Sequence, residues 1–221
     1  MAMSTVRFVL ASVLIASSAL PIVTGAQAPA QGGRGAAPAP PAPGTAAAQP
    51  GGGRGRGAIP VMTLTSSAWP DGGQVPVKFT QAGDESSPPL TWSNVPSGAA
   101  SFVLIVHDLD AATGNGADDI LHWMLWNIPL ATTSLGERLP STAQLPDGTR
   151  QIGATGPGYR GPGAPAAGPA HHYVFELYAL DIVLDIPAVG ASPAQTRAAV
   201  LAAMAGHVRG KGSFIGLFKR P

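Results

Sequence analysis

Polar side chains suited to anion binding are concentrated in two short segments of the chain. Residues 107–123 have the sequence HDLDAATGNGADDILHW, and residues 158–173 have the sequence GYRGPGAPAAGPAHHY. Each segment joins a histidine to a loop rich in Gly or Pro. Protonated imidazoles and the backbone N–H groups of Gly-rich turns donate hydrogen bonds to phosphate and similar anions. The two segments therefore predict a small polar pocket for an anionic ligand.

The first candidates for this pocket come from both segments. Asp108 directly follows an apolar run, whereas Asp110 precedes Ala-Ala-Thr-Gly, a pattern typical of an aspartate that forms a turn. His171 shares one side of an extended chain with Tyr173, and His172 points to the other side. The residues alone therefore assign Asp108, His171 and Tyr173 to the pocket, favour a turn-forming role for Asp110 over a place in the site, and predict that His172 is exposed or packs outside the pocket. An ordinary strand aromatic is the alternative for Tyr173.

His122 supplies the second imidazole of the predicted pocket. It begins an apolar run, residues 122–128, and a core histidine bonded to the backbone is the alternative interpretation. If this run is extended, Met124, Trp126 and Ile128 lie on the same face as His122. A carboxylate close to either imidazole would raise its pKa and favour the imidazolium, which donates two hydrogen bonds.

The same groups could also activate a water molecule as a general base. The chain has no GxSxG or HExxH motif, and its histidines do not have the spacing of a local zinc site. The sequence therefore favours binding over catalysis and predicts no catalytic residue, no metal and no cofactor.

Short strands must position these side chains. The runs 101–106, 122–128 and 173–180 have strand length, and the first is almost wholly apolar, as expected of a strand buried on both faces. Further strands are predicted at residues 61–66, 75–80, 90–92 and 212–218.

One helix is predicted near the C-terminus. Ser192 and Gln195 form a capping box around Pro193, and an Ala-rich run continues to Ala205. Many short strands followed by one helix predict a mainly β fold, an antiparallel β-sandwich or Greek key with a small C-terminal helical element. The predicted packing face of the helix comprises Val200, Leu201 and Met204.

Composition restricts the classes of function. The 221 residues contain no cysteine, which excludes disulfides and thiolate chemistry. From residue 61 onward, nine Lys and Arg residues stand against twelve Asp and Glu residues, a difference of −3. A mildly acidic domain lacks the basic surface that nucleic acids require, so we predict no nucleic-acid partner.

The N-terminus has the pattern of an export signal. Arg7 precedes an apolar run at residues 8–20 that is short for a bilayer span, and Ala26-Gln27-Ala28 fits a cleavage site. We predict a signal peptide at residues 1–28, cleaved after Ala28, a periplasmic or secreted location, and no stable membrane insertion after cleavage. An uncleaved membrane anchor is the alternative.

A low-complexity linker follows the predicted signal. Residues 29–59 consist almost entirely of Gly, Pro, Ala, Gln and Arg, a composition that cannot bury enough apolar surface to fold. Its Gly-Arg tracts are similar to RNA-binding tracts, but a solvated spacer is the favoured interpretation. The folded domain is predicted at residues 60–221.

The domain resembles the phosphatidylethanolamine-binding protein family, in its bacterial branch, often labelled Raf-kinase-inhibitor-like. The matching stretches follow the family order and span residues 61–221. They are DGGQVPVKFT (71–80), GDESSPPLTW (83–92), VHDLDA (106–111), HWMLWNIP (122–129), LPDGTRQ (145–151), GYRGPGAPAAGPAHHYVFELYALD (158–181) and GLFKR (216–220).

The resemblance implies an antiparallel β-sandwich with a pocket for phosphate-type head groups. Asp108, Asp110 and His122 occupy the positions of the first family motif, DPDAP followed by a His-bearing strand. His171 and Tyr173 occupy the His and Tyr of the second motif, HRY.

Three residues depart from the family pattern. Leu109 and Ala112 replace prolines of the first motif, and His172 replaces the arginine of the second. Loss of the arginine removes a permanent charge near the pocket, so head-group affinity is expected to be weaker or dependent on pH. The expected partners are a small anionic ligand or phospholipid head group, a peptidase-type or kinase-type protein that it could inhibit, and a second copy in a homodimer.

Overall fold

Nine strands and one α-helix form the part of the chain that the structure describes, residues 58–113 and 116–221 of a computed structural model. A short 3-10 helix spans Val77–Phe79. In chain order the elements are β1 (Thr63–Thr65), β2 (Gly73–Gln74), β3 (Leu90–Ser93), β4 (Ser101–Thr113), β5 (Asp118–Pro129), β6 (Ser134–Leu135), β7 (Arg150–Gly153), β8 (His171–Leu180), α1 (Pro193–Met204) and β9 (Val208–Phe218).

The strands form two sheets of unequal size. The small sheet has the order β1-β3-β6, and the large sheet has the order β2-β9-β8-β4-β5-β7. The strand pairs are antiparallel except for the short parallel pair β2–β9. Strand β4 lies between β5 and β8 in the large sheet. Its apolar run is buried on both faces, as predicted, because its side chains pack alternately into two hydrophobic clusters.

One hydrophobic core fills the space between the two sheets. Leu64 and Trp92 of the small sheet pack in the same cluster as Phe102, Trp123 and Phe175 of the large sheet. Interdigitated inner faces of two sheets define a β-sandwich. The predicted fold class, mainly β with an antiparallel sandwich and one C-terminal helix, is therefore confirmed.

Helix α1 covers the opposite face of the large sheet. The predicted capping box at Ser192 and Gln195 is present and starts the helix. Val200 and Met204 are buried against the sheet, as predicted, but Leu201 is 42% exposed. The predicted packing face was wrong at that position because Thr196, four residues before Val200, completes the buried stripe instead.

The strand predicted at residues 75–80 was also wrong. Pro76 has no N–H group to donate to a sheet, and it precedes the 3-10 turn Val77–Phe79, in which the N–H of Thr80 donates to the carbonyl of Val77. Of the turn's three residues only Phe79 is buried, so the segment anchors a loop rather than extending a sheet.

The predicted signal peptide and residues 29–57 of the predicted linker lie outside the described residues. Within the described ranges, no helix has the length and apolarity needed to cross a bilayer.

Candidate functional site

The pairing of β4 with β8 brings together the polar residues of the two segments. Asp108 on β4 lies directly opposite Tyr173 on β8, and His171 begins β8 two residues earlier. Side chains at paired and alternate positions share one face of a sheet. The strand register therefore gathers three of the predicted site residues at one end of the sandwich.

Asp108 is the most heavily bonded member of this group. Its Oδ2 lies 2.8 Å from His171 Nδ1, and its Oδ1 accepts the backbone N–H groups of Asp110 at 3.0 Å and Ala111 at 3.2 Å. The residue is only 3% exposed. Because both oxygens are engaged, the carboxylate fixes both the irregular part of β4, residues 108–112, and the His171 ring.

Tyr173 holds the Gly/Pro loop, residues 158–170, against the sheet. Its hydroxyl oxygen accepts the backbone N–H groups of Gly163 at 3.1 Å and Ala164 at 3.0 Å. Its ring meets the His122 ring edge to face and stacks on the His171 ring. Burial raises the pKa of Tyr173 to about 12, so the phenol stays neutral. Tyr173 therefore orients both imidazoles.

His122 reaches this site because β5 contains a bulge. Opposite β4, Val106 pairs with Trp123 and His107 pairs with Leu121, so His122 is the extra residue. A bulge inserts an unpaired residue and turns its side chain to a new direction. His122 therefore contacts Tyr173, although simple alternation would place it on the same face as Met124.

The predicted common face of His122, Met124, Trp126 and Ile128 was consequently wrong. Met124 and Trp126 pack in the core beneath α1, whereas Ile128 packs between the sheets. A second irregularity in β5 includes Asn127, whose φ is +57°, and it separates Ile128 from Trp126. Bulges arise from the fit between neighbouring strands, so alternation within one strand does not reveal them.

The hydrogen bonds of His122 determine which ring nitrogen carries a proton. Its Nδ1 lies 3.1 Å from the carbonyl oxygens of both Arg160 and Gly161, which can only accept. Nδ1 therefore donates, and Nε2 has no proton while the ring is neutral. Burial lowers the pKa of His122, because the bonds to the two carbonyls compensate only in part. The ring is thus neutral at neutral pH.

A cavity of about 240 Å³ opens between these residues. This volume suits a small head group better than a drug-sized ligand, whose pockets usually exceed about 300 Å³. In the described ranges, no three metal-ligating side chains converge. The polar residues that line the cavity are Gln81, Asp108, His122, Arg160, His171 and Tyr173.

Asp110 is the predicted site residue that does not line this cavity. Its carboxylate accepts the backbone N–H of His172 at 2.5 Å and lies 2.8 Å from His172 Nδ1. The backbone bond is the main cause that lowers the pKa of Asp110. His172 is exposed, as predicted. The Asp110 carboxylate does not line the cavity, and its bonds to His172 tie the irregular part of β4 to β8. A direct contact between Asp110 and a ligand stays a prediction.

Sequence reasoning missed Arg160 and Gln81. Arg160 donates from Nη2 to Gln81 Oε1 at 3.0 Å and from Nη1 to Glu85 at 2.9 Å. Arg160 carries the only arginine or lysine charge among the residues that line the cavity. Its position in the Gly/Pro loop was an available signal, whereas Gln81 arrives through tertiary folding and had none.

Two glycines allow the Gly/Pro loop to approach residues 79–81. A Cβ at Gly161 would lie 2.6 Å from the carbonyl oxygen of Phe79, and a Cβ at Gly163 would lie 2.4 Å from the Gln81 side chain. Both distances are too short for any larger residue without movement. The glycines therefore permit the close packing that brings Gln81 and Arg160 to the cavity.

This sandwich and cavity belong to a recognisable class of protein. The family model for phosphatidylethanolamine-binding proteins matches residues 65–219. The chain therefore belongs to the phosphatidylethanolamine-binding protein family, which confirms the resemblance found in the sequence.

Individual relatives agree with this assignment. A UPF0098 protein of Methanothermobacter thermautotrophicus is 42% identical over 155 residues, which cover 69% of this chain and 95% of the relative. A Mycobacterium tuberculosis protein named as a candidate lipoprotein, LppC, is 37% identical over 153 residues, covering 68% and 71% of the two chains. The crystal structure of CT736, a candidate phosphatidylethanolamine-binding protein homologue from Chlamydia trachomatis, is 32% identical with a TM-score of 0.61, covering 73% of this chain and 99% of that one.

Proposed function

We propose that this protein binds a small phosphate-type anion, such as a phospholipid head group, through Asp108, His122, His171 and Tyr173. One observation carries the proposal: two imidazoles border a single cavity, and the Nδ1 atom of each is already bonded to an acceptor. Membership of a family named for phosphatidylethanolamine binding supports a binding role rather than a catalytic one.

The bonded Nδ1 atoms determine how an anion would be held. Each ring can offer only Nε2 to a ligand, and Nε2 donates a hydrogen bond only when the ring is protonated. The lowered pKa of His122 means that this ring must take up a proton when an anion binds at neutral pH. Anion affinity is therefore expected to rise as the pH falls.

Asp108 and Tyr173 have positioning roles in this scheme. Asp108 compensates the charge of a protonated His171 across their 2.8 Å contact. The hydroxyl oxygen of Tyr173 accepts two backbone N–H groups, which positions the loop, and the ring packs against both imidazoles. The ligand donors are then His122, His171 and the guanidinium of Arg160.

Calorimetric titration with phosphoethanolamine tests the proposal. We expect His122→Ala to weaken binding about tenfold or more, the value of one lost charge-assisted hydrogen bond. His207→Ala is the matched control, because His207 also contacts a carboxylate, that of Asp181 at 2.8 Å, but lies outside the cavity. Thermal unfolding of each variant verifies that it is folded.

Two results would contradict the proposal. One is wild-type protein that does not bind phosphoethanolamine, and the other is an affinity that His122→Ala leaves unchanged. Repeating the wild-type titration from about pH 8 to about pH 6 adds a second criterion, since the linkage of His122 requires tighter binding at the lower pH.

We also propose that the protein acts outside the cytoplasm. The pattern of Arg7 followed by an apolar run supports export, as does the similarity to a relative named as a candidate lipoprotein. Mass spectrometry of the protein recovered from the periplasm or medium tests this, with an expected first residue of Pro29. Recovery of the intact chain from the cytoplasm alone would refute it.

A further inference from the structure

Two guanidinium groups meet on one side-chain oxygen beside the cavity. Arg160 Nη2 donates to Gln81 Oε1 at 3.0 Å, and Arg220 Nη2 donates to the same oxygen at 3.2 Å. The two nitrogens are therefore at most 6.2 Å apart, the sum of the two bonds. Gln81 Nε2 donates to the carbonyl of Gly161 at 2.9 Å, which turns the amide oxygen towards the arginines.

The charges at this position are unbalanced. Glu85 pairs with Arg160 at 2.9 Å, but within the described ranges Arg220 has no carboxylate at ion-pair distance. The neighbouring His122 is neutral at neutral pH because burial lowers its pKa. Glu85 offsets the charge of Arg160, so Arg220 is the guanidinium of the two whose charge no carboxylate contact among the described residues offsets. The arrangement therefore keeps one cation beside the cavity that can attract a negative charge beyond the one held by the imidazoles.

Both arginines are fixed to the loop that forms the cavity wall. The carbonyl of Arg160 accepts the Nδ1–H of His122, and the backbone N–H of Arg220 donates to the carbonyl of Ala164 at 3.0 Å. Ala164 itself lines the cavity. A ligand bound at His122 thus lies beside the loop that carries Arg160 and to which the backbone of Arg220 is bonded.

We propose that Arg160 and Arg220 form a second anion-binding element of this site, which selects phosphomonoesters over phosphodiesters. The inference rests on the proposed function and narrows its ligand class from head groups in general, which are diesters in an intact phospholipid, to free head groups and other monoesters. A phosphomonoester carries about −1.5 to −2 charges at neutral pH and three free oxygens. A phosphodiester carries a single charge and two such oxygens. Guanidinium groups bind the additional charge and oxygen with two-pronged geometry.

A matched pair of probes tests the selectivity on the full chain. Phosphoethanolamine is a monoester, and glycerophosphoethanolamine is a diester with the same amine. We expect the wild-type protein to bind the monoester more tightly by calorimetry. Arg220→Gln should weaken monoester binding about fivefold and diester binding less than about twofold. Arg220 is exposed, so this substitution leaves the core intact.

Lys219→Gln provides the control for overall charge. Lys219 is the adjacent exposed cation, and its Nζ lies 3.4 Å from the carbonyl of Gly168, away from Gln81. The Lys219→Gln substitution should leave the affinities for both probes within about twofold of wild type.

The possible outcomes separate this inference from the proposed function. Wild-type binding to both probes with equal affinity, or equal losses for both probes in Arg220→Gln, would overturn the selectivity alone. A loss in Lys219→Gln as large as that in Arg220→Gln would also overturn it, because only general electrostatics would then be at work. If the wild-type protein binds neither probe, the proposed function is refuted, and this inference is refuted with it.

Discussion

Strand β4 takes part in two histidine–carboxylate clusters on opposite faces of the large sheet. On the cavity face, Asp108 holds His171, and on the helix face the preceding residue, His107, contacts Asp119. Neighbouring residues of a strand point to opposite faces, so one dipeptide contributes to both clusters. The clusters share the same chemistry but differ in what surrounds each imidazole ring.

The ring of His107 is enclosed by partners on both sides. Its Nδ1 contacts Asp119, and its Nε2 lies 3.4 Å from Glu176, an ion-pair contact rather than a well-formed hydrogen bond. Arg197 of α1 binds both oxygens of Asp119, and Lys211 of β9 lies 2.5 Å from Glu176. The cluster therefore fastens the helix and four strands, β4, β5, β8 and β9, to one another.

The pKa shifts of His107 and Glu176 both favour the charged form of the side chain. Burial alone would lower the pKa of His107, but the contacts with Glu176 and Asp119 outweigh it and raise the pKa above its usual value. The contact with His107 is the main cause that lowers the pKa of Glu176 to about 2. Both shifts favour the charged form, whereas the lowered pKa of His122 in the cavity favours the neutral form.

The comparison indicates what makes a histidine–carboxylate pair a site. The carboxylates of both clusters are engaged, but only the cavity-face rings, those of His122 and His171, line the cavity that a ligand can enter. The side chain of His171 is 18% exposed, and that of His107 is 8% exposed. We therefore expect the helix-face cluster to affect stability and the cavity-face cluster to affect binding.

The largest expected effect separates the two clusters directly. His107→Ala removes a buried ring that contacts both Asp119 and Glu176, although Arg197 and Lys211 remain beside these carboxylates, so the free energy of unfolding should fall by about 2 kcal/mol. His171→Ala should cost about 1 kcal/mol, because water can reach Asp108 through the cavity. Urea unfolding measures both values. A greater loss in His171→Ala than in His107→Ala would reverse the comparison.

Affinity for phosphoethanolamine gives the complementary measurement on the same two variants. His107→Ala should leave it unchanged within about twofold, and His171→Ala should reduce it about tenfold. Equal reductions in both variants would show that the two clusters act as one unit.

The dependence of stability on pH should have opposite signs in the two clusters. The folded pKa of His107 is raised, so its contribution is complete below 6.5, the unfolded value, and is lost as the pH rises through the folded pKa. The folded pKa of His122 is lowered, so its contribution is present above 6.5 and is lost as the pH falls through the folded pKa.

Urea unfolding of His107→Gln and His122→Gln from about pH 5 to about pH 9 tests these signs against wild type. The destabilisation caused by His107→Gln should shrink towards the alkaline end. The destabilisation caused by His122→Gln should shrink towards the acidic end. The same direction of change in both variants would contradict the assigned charge states.

The same comparison shows where sequence reasoning succeeds. The common face of His171 and Tyr173 was predictable because alternation along a strand settles which of two adjacent residues shares a face with a third. The position of Asp108 opposite Tyr173 depends on the pairing of β4 with β8. The sandwich was predictable from apolar runs of strand length, which local composition determines.

The misses have a common physical cause. The bulge at His122 depends on how β5 fits β4, and the cluster around His107 depends on a strand register and a helix that meet across many residues. Arg220 reaches Gln81 across 139 residues of chain. Pairing between distant segments is set by the whole fold, so single-sequence patterns do not contain it.

The smallest expected effect compares two tyrosine hydroxyls, one from each cluster. The Tyr173 oxygen accepts two backbone N–H groups of the Gly/Pro loop, so Tyr173→Phe leaves two donors without a partner and should cost about 1–2 kcal/mol of unfolding free energy. Tyr178 donates one bond to Glu176 at 2.8 Å, and Glu176 keeps its contact with Lys211 in Tyr178→Phe. That variant should therefore cost less than about 0.5 kcal/mol. Because the Tyr173 ring remains against both imidazoles, phosphoethanolamine affinity should fall only about twofold to threefold in Tyr173→Phe. A loss as large as that of His122→Ala would instead mean that the hydroxyl itself contacts the ligand.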